Sequence, residues 1–135
     1  MANALYDHGR EGFLDGSLDW DTQDIRVILV DTADYTVDLA NHDNLDDVAA
    51  GARVAVSGAF TGKTVAAGVA DADDVTFTAV TGDVSEALVI YYHTGTESTS
   101  RLIAYIDTAS GLPVTPNGGN IVVAWDSGAN KIFKL

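Results

Sequence analysis

Cysteine is absent from the sequence. That excludes a disulfide framework, a thiolate-held metal and thiol catalysis, so the fold must rest on burial alone. Long apolar runs are also missing, and none approaches the ~18–20 residues that span a bilayer. The opening stretch, MANALYDHGRE, carries acids where a secretory leader has its basic and apolar regions, so no export signal is expected. Bases are scarce, seven against twenty acids, for a net charge of −13. A surface of that sign repels phosphate backbones and argues against direct nucleic-acid binding. Among the acids, glutamate is scarce in turn: Glu11, Glu86 and Glu97 are the only three.

What is present points to short strands. Aspartate is a poor interior helix residue and a good turn residue, and 13 glycines add to the turn chemistry. Threonine and valine favour pleated, half-buried surfaces. At 135 residues the chain is read as one domain, able to bury about two-thirds of its unfolded surface without a staple. Residues 1–16 are assigned to an N-terminal helix or arm and 17–135 to a β core.

The centre of that core is expected at Glu86–Thr108 (EALVIYYHTGTESTSRLIAYIDT). Two apolar runs, Ala87–Tyr92 and Leu102–Ile106, flank a polar segment, the pattern of a hairpin with a longer loop. Nearly continuous apolar character places both runs where both faces are covered over part of their length. Upstream, Ala4–Phe13 has Leu5, Gly9, Gly12 and Phe13 near helical spacing, weakened by its two glycines. The alternative is an arm that orders only against a neighbouring subunit.

Ile25–Val30 reads as a strand, with Arg26 placed where it meets solvent or an acidic neighbour. Tyr35–Leu39 alternates like an edge strand, and His42–Ala50 reads as a helical turn closed by Gly51. Arg53–Phe60 reads as a strand bent at Gly58, Lys63–Val69 as a weaker one, and Asp73–Val80 as a cleanly alternating one. Residues 108–119 hold both prolines and read as loop, while Ile121–Trp125 and Lys131–Phe133 read as a final hairpin. The sum is a mainly β, antiparallel sandwich or flattened barrel of about seven or eight strands.

Motifs for chemistry are thin. The acids at 15, 19, 21 and 24 alternate like calcium ligands, but Trp20 stands where the EF-hand loop needs glycine and Arg26 where it needs glutamate. A solvated turn is the better reading. Asp43, Asp46 and Asp47, like Asp71, Asp73 and Asp74, read as leaders of helical turns and strands. His8, His42 and His93 lie far apart without a ligand partner nearby in sequence, and no serine sits in a nucleophile elbow. Gly62-Lys63-Thr64 ends like a phosphate loop, but Ser57 replaces its first glycine and no helix follows. No paired carboxylates stand out for glycoside hydrolysis. Trp20 and Trp125 read as core before they read as a sugar platform. No cofactor is called for.

Taken together, ANALYDHGREGFLDG, DWDTQDIRVILVDTADYT, GARVAVSG, DADDVTFTAVTGD, SRLIAYIDTASGLPVTPNGG and WDSGANKIFKL resemble, over nearly the full length, a family of small virion proteins of tailed bacteriophages and prophages. The resemblance implies a non-enzymatic decoration (cement) protein, made in the host cytoplasm and carried on the outer head surface. Its implied partners are the major capsid protein and copies of itself, as a homotrimer, with neither nucleic acid nor membrane involved. The contacts are expected from the N-terminal segment, through Leu5, Tyr6 and Phe13, or from the loop holding Leu112, Pro113 and Pro116. The alternatives are a tail, neck or fibre-base component, and a carbohydrate-binding module using Trp20 or Trp125 with Tyr91 and Tyr92.

Overall fold

The two apolar runs form the middle of the largest sheet. A computed structural model describes residues 3–135; Met1 and Ala2, the start of the expected N-terminal segment, lie outside the described residues. The strands, in chain order, are β1 (Ala4–Leu5), β2 (Ile25–Val30), β3 (Arg53–Val56), β4 (Thr64–Ala66), β5 (Val69–Asp71), β6 (Val75–Phe77), β7 (Ala87–Tyr92), β8 (Leu102–Ile106), β9 (Ile121–Val123) and β10 (Phe133–Lys134), and one helix, α1, spans Asp7–Asp15. The large sheet runs β1-β8-β7-β2-β3, and smaller sheets run β10-β5-β4 and β6-β9. Every pairing is antiparallel. The architecture is a mainly β, sandwich-like stack rather than a closed barrel.

Alternation across the pleat explains why the central strands read as unbroken apolar runs. Ile25, Val27 and Leu29 of β2 and Leu88 and Ile90 of β7 face one core, shared with Phe60, Phe77 and Trp20. Ile28 and Val30, with Ala87, Val89 and Tyr91, face the other, closed by Tyr6, Tyr35, Leu45 and Val48. The small sheets thus cover one face, and the N-terminal turn with the 31–52 connection covers the opposite one. Adjacent Tyr91 and Tyr92 accordingly point to different cores.

The N-terminal segment is sewn to the chain's own sheet instead of waiting for a neighbour. Ala4 and Leu5 pair with Tyr105 and Ala104, and the Tyr6 amide donates to the Ile103 carbonyl at 3.0 Å. The helix then takes over, starting three residues later than the spacing suggested. Gly9 is what lets it: a Cβ there would lie 2.8 Å from the Leu102 carbonyl oxygen and 3.0 Å from Ile103 Cα. The glycine that weakens the helix locally allows it to lie against the β8 backbone, where α1 covers a sheet edge that β1 is too short to cover.

Several expectations are corrected. Tyr35–Leu39 forms no strand, because Tyr35 turns inward to hydrogen-bond while the backbone around it stays in turns and irregular structure. His42–Ala50 holds a single 3-10 turn, Leu45–Asp47; a second, Ala50–Ala52, runs through Gly51, so that glycine is no stop. The strand starting at Arg53 ends at Val56. The weak candidate Lys63–Val69 is two strands, with Ala67 (φ 52°) and Gly68 (φ 78°) as the tight turn between β4 and β5. No terminal hairpin forms: β9 pairs with β6 and β10 with β5. Trp125 diverts the chain, its amide bonded to Asp74 Oδ1 and its indole N–H to the Asp73 carbonyl, both at 3.0 Å. With that one split and the unexpected β1, the described residues hold ten strands.

Candidate interaction surface

The expected contact residues fall in three different settings. Leu5 and Tyr6 are buried in the chain's own cores, at 6% and 0% exposure, and offer no surface to a partner. That corrects their assignment: both serve the inside of the fold, because β1 and the first helical turn complete the large sheet. Phe13 is half-buried, its ring 5.8 Å from that of Phe133. Its neighbour Leu14, which sequence spacing did not single out, is 88% exposed. Leu112 and Pro116 are half-buried and Pro113 is exposed, with a cis peptide joining Leu112 to Pro113.

Two concavities take up Phe13 and Leu112. One, of about 400 Å³, is lined by Phe13, Trp20, Val65, Phe133 and Leu135. The other, of about 670 Å³, opens between the large sheet and the β6–β9 pair, with Leu29 and Leu88 at its floor and Leu112, Val114, Ile121 and Trp125 along its sides. Phe13 and Leu112 therefore belong to separate surfaces. Val65 and Leu135, at 57% and 59% exposure, extend the apolar rim of the first.

Trp20 is core, at 4% exposure, with its indole N–H donating to the Asp71 carbonyl and its ring edge-on to Phe60 and Phe133. Tyr91 is also core, while Trp125 and Tyr92 are half-buried. Of the four aromatics considered for a sugar platform, Trp20 and Tyr91 are therefore removed from the surface.

The titratable groups are engaged locally. His8 meets Glu11 at 3.0 Å, His93 meets the Tyr91 hydroxyl at 3.5 Å, and His42 meets the Tyr35 hydroxyl at 2.9 Å. Among the described residues none of the three joins a cluster of metal-ligand type. Asp43, Asp46 and Asp47 bring carboxylate oxygens within 4.8 Å of one another, as do Asp31, Asp34 and Asp83. Turn chemistry occupies one acid of each group: Asp47 accepts the Asp43 amide and Asp31 the Ala33 amide, each at 2.8 Å. In the 15–24 segment, hydrogen bonds from Ser17 hold the Asp15 carboxyl below its usual range, and the Arg26 guanidinium does the same for Asp24 through two contacts of 2.9 Å. That is the acidic neighbour expected for Arg26. Asp19 and Asp21 act on each other across this turn, so that the carboxyl of the first is held below its usual range and that of the second above it.

Charge is unevenly spread. Residues 48–70 contain no Asp or Glu, and residues 108–125 contain no charged side chain at all. The first stretch supplies β3 and β4, and the second lines the larger groove. No helix among the described residues is long and apolar enough to cross a membrane. No protein-family model matches the chain, and no curated protein matches it.

Proposed function

We propose that this chain is a non-enzymatic structural protein of a tailed-phage particle, a decoration protein that binds the outer head surface and braces neighbouring capsid subunits. The observation that carries this reading is the contrast between a densely acidic β-sandwich and its two acid-free surface zones. Acidity keeps such a domain dispersed before assembly and repels it from packaged DNA. Apolar, acid-free zones give it places to bury area against protein. The larger groove, walled by Leu112 and Val114, is the surface assigned here to the capsid subunit.

The experiment is the copy number of this chain in purified particles, measured by quantitative mass spectrometry against the major capsid protein. A ratio of one, or a simple fraction of it, is the expected result. A handful of copies would move the protein to the tail or neck, and absence from the particle would refute a virion role.

A further inference from the structure

We propose that the outer edge of β4 is a docking edge for a second copy of this chain, pairing antiparallel about a two-fold axis centred on Val65. The register of the β4–β5 hairpin leads there. Ala66 lies opposite Val69, Val65 opposite Ala70 and Thr64 opposite Asp71, across a two-residue turn. In such a hairpin the pair flanking the turn exchanges hydrogen bonds, the next pair does not, and the third does again. Ala70 therefore directs its backbone groups away from β4, and its carbonyl indeed accepts the Ile132 amide at 3.1 Å. Val65 directs its N–H and C=O the opposite way, out of the sheet, where β4 has no neighbour among the described residues.

A residue presenting both groups at a free edge is self-complementary. Val65 against Val65 of a second copy exchanges two hydrogen bonds, and the three-stranded sheet continues as six strands. Free edges are usually guarded by charge, proline or a covering element. This one is bare: Thr64, Val65 and Ala66 are all exposed, and they lie in the stretch without an acid. A chain of net charge −13 can meet itself edge to edge only where its acids are missing. Lys63 does not interfere, because its ammonium is turned back onto the Gln23 carbonyl. Exposed Leu135 lines the same concavity as Val65 and widens the apolar area available for burial. Asp19 and Asp21 are also on its lining, so acids stand close to this edge and make the association salt-dependent.

This inference stands apart from the virion reading, and its two-fold pair differs from the trimer that the resemblance implies. The test is sedimentation equilibrium of the full chain with Val65→Pro and Val65→Lys. Wild type should reach twice the chain mass. Val65→Pro removes only the outward N–H, which the β4–β5 ladder does not use, so it should keep the fold and weaken the dimer by about tenfold or more. Val65→Lys should do the same by setting two ammonium groups face to face, which decides the matter if the proline variant misfolds. Hydrogen exchange should show the Val65 amide protected in the wild-type dimer. A wild-type monomer at high concentration, a trimer, or a dimer indifferent to both substitutions would overturn the proposal.

Discussion

Replacing Tyr35 by phenylalanine should cost more stability than replacing Tyr6, although Tyr6 is the more deeply buried. The two hydroxyls lie 2.8 Å apart, and Tyr35 continues to His42 Nδ1 at 2.9 Å. That nitrogen also faces the Asp38 backbone N–H at 3.3 Å, a group that can only donate. Nδ1 is therefore the acceptor, Tyr35 donates to it, and Tyr6 donates to the Tyr35 oxygen. Tyr6→Phe removes the last link of the chain, a loss of about 1 kcal/mol. Tyr35→Phe removes the middle link and leaves the Tyr6 hydroxyl, at 0% exposure, with nothing to donate to. An unsatisfied buried hydroxyl costs about 1–3 kcal/mol on top of the lost link, so the total for Tyr35→Phe is about 2–4 kcal/mol. The double variant should cost less than the sum, because it removes the stranded hydroxyl as well. Urea titrations followed by circular dichroism resolve these differences. Equal costs for the two single variants, or simple additivity, would refute the assigned direction of the chain.

The same pair sets an alkaline limit. Burial pushes the Tyr6 phenol well up and that of Tyr35 up to about 12, from an ordinary 10.0. Neutral tyrosine is the form the native state holds, so the contribution is intact below pH 10.0 and is lost as pH rises toward about 12; melting temperatures across that window should fall steeply. Arg53→Met should cost about 2–3 kcal/mol in urea unfolding, because this guanidinium donates to the Val48 and Leu45 carbonyls at 2.8 and 2.9 Å as well as to Glu97. Glu97→Gln should leave the melting temperature nearly unchanged, since that carboxylate is solvated. Gly9→Ala should destabilise by about 1–3 kcal/mol despite alanine's better helix propensity, because the new methyl meets β8 backbone rather than a movable side chain; a gain in stability would show that α1 can shift away from the sheet.

The large sheet was legible because its signal is local. Ile25–Val30, Ala87–Tyr92 and Leu102–Ile106 occur as strands with the expected limits, since a strand apolar on both faces leaves an unbroken run. The small sheets were legible only in part: Asp73–Val80 and Ile121–Trp125 do hold β6 and β9, each cut to three residues, but strands that short carry too little periodicity to fix their limits or partners. Ala67-Gly68 hid a hairpin turn for a different reason: alanine at φ 52° is a choice that tertiary structure imposes against local preference. Sequence neighbours were wrongly paired at the C-terminus because β5 and β6 already offered edges, which no local pattern near Ile121 or Phe133 reveals. Tyr6 was read as a contact residue since an aromatic near a chain start looks available; only the pairing of Ala4 and Leu5 with β8 carries it inside. The composition did hold one overlooked signal, the acid-free stretches 48–70 and 108–125.

Those stretches matter because the rest of the molecule has spent its positive charge internally. Arg10 bonds Asp7, Arg26 bonds Asp24, Arg53 bonds Glu97, and Arg101 and Lys63 bond the carbonyls of His8 and Gln23. Lys131 and Lys134, beside the C-terminal strand, are the bases left without such partners among the described residues. The outward field is therefore negative almost everywhere, and long-range attraction between like copies has nothing to act through. Association has to be short-ranged, built from apolar area and backbone hydrogen bonds where the acids are missing. Such contacts are little affected by salt, while the repulsion they must overcome is screened over about 10 Å at 0.1 M ionic strength. On the decoration reading, this gives one acid-free stretch to each partner: the β4 edge to a second copy and the 108–125 wall of the larger groove to the capsid subunit.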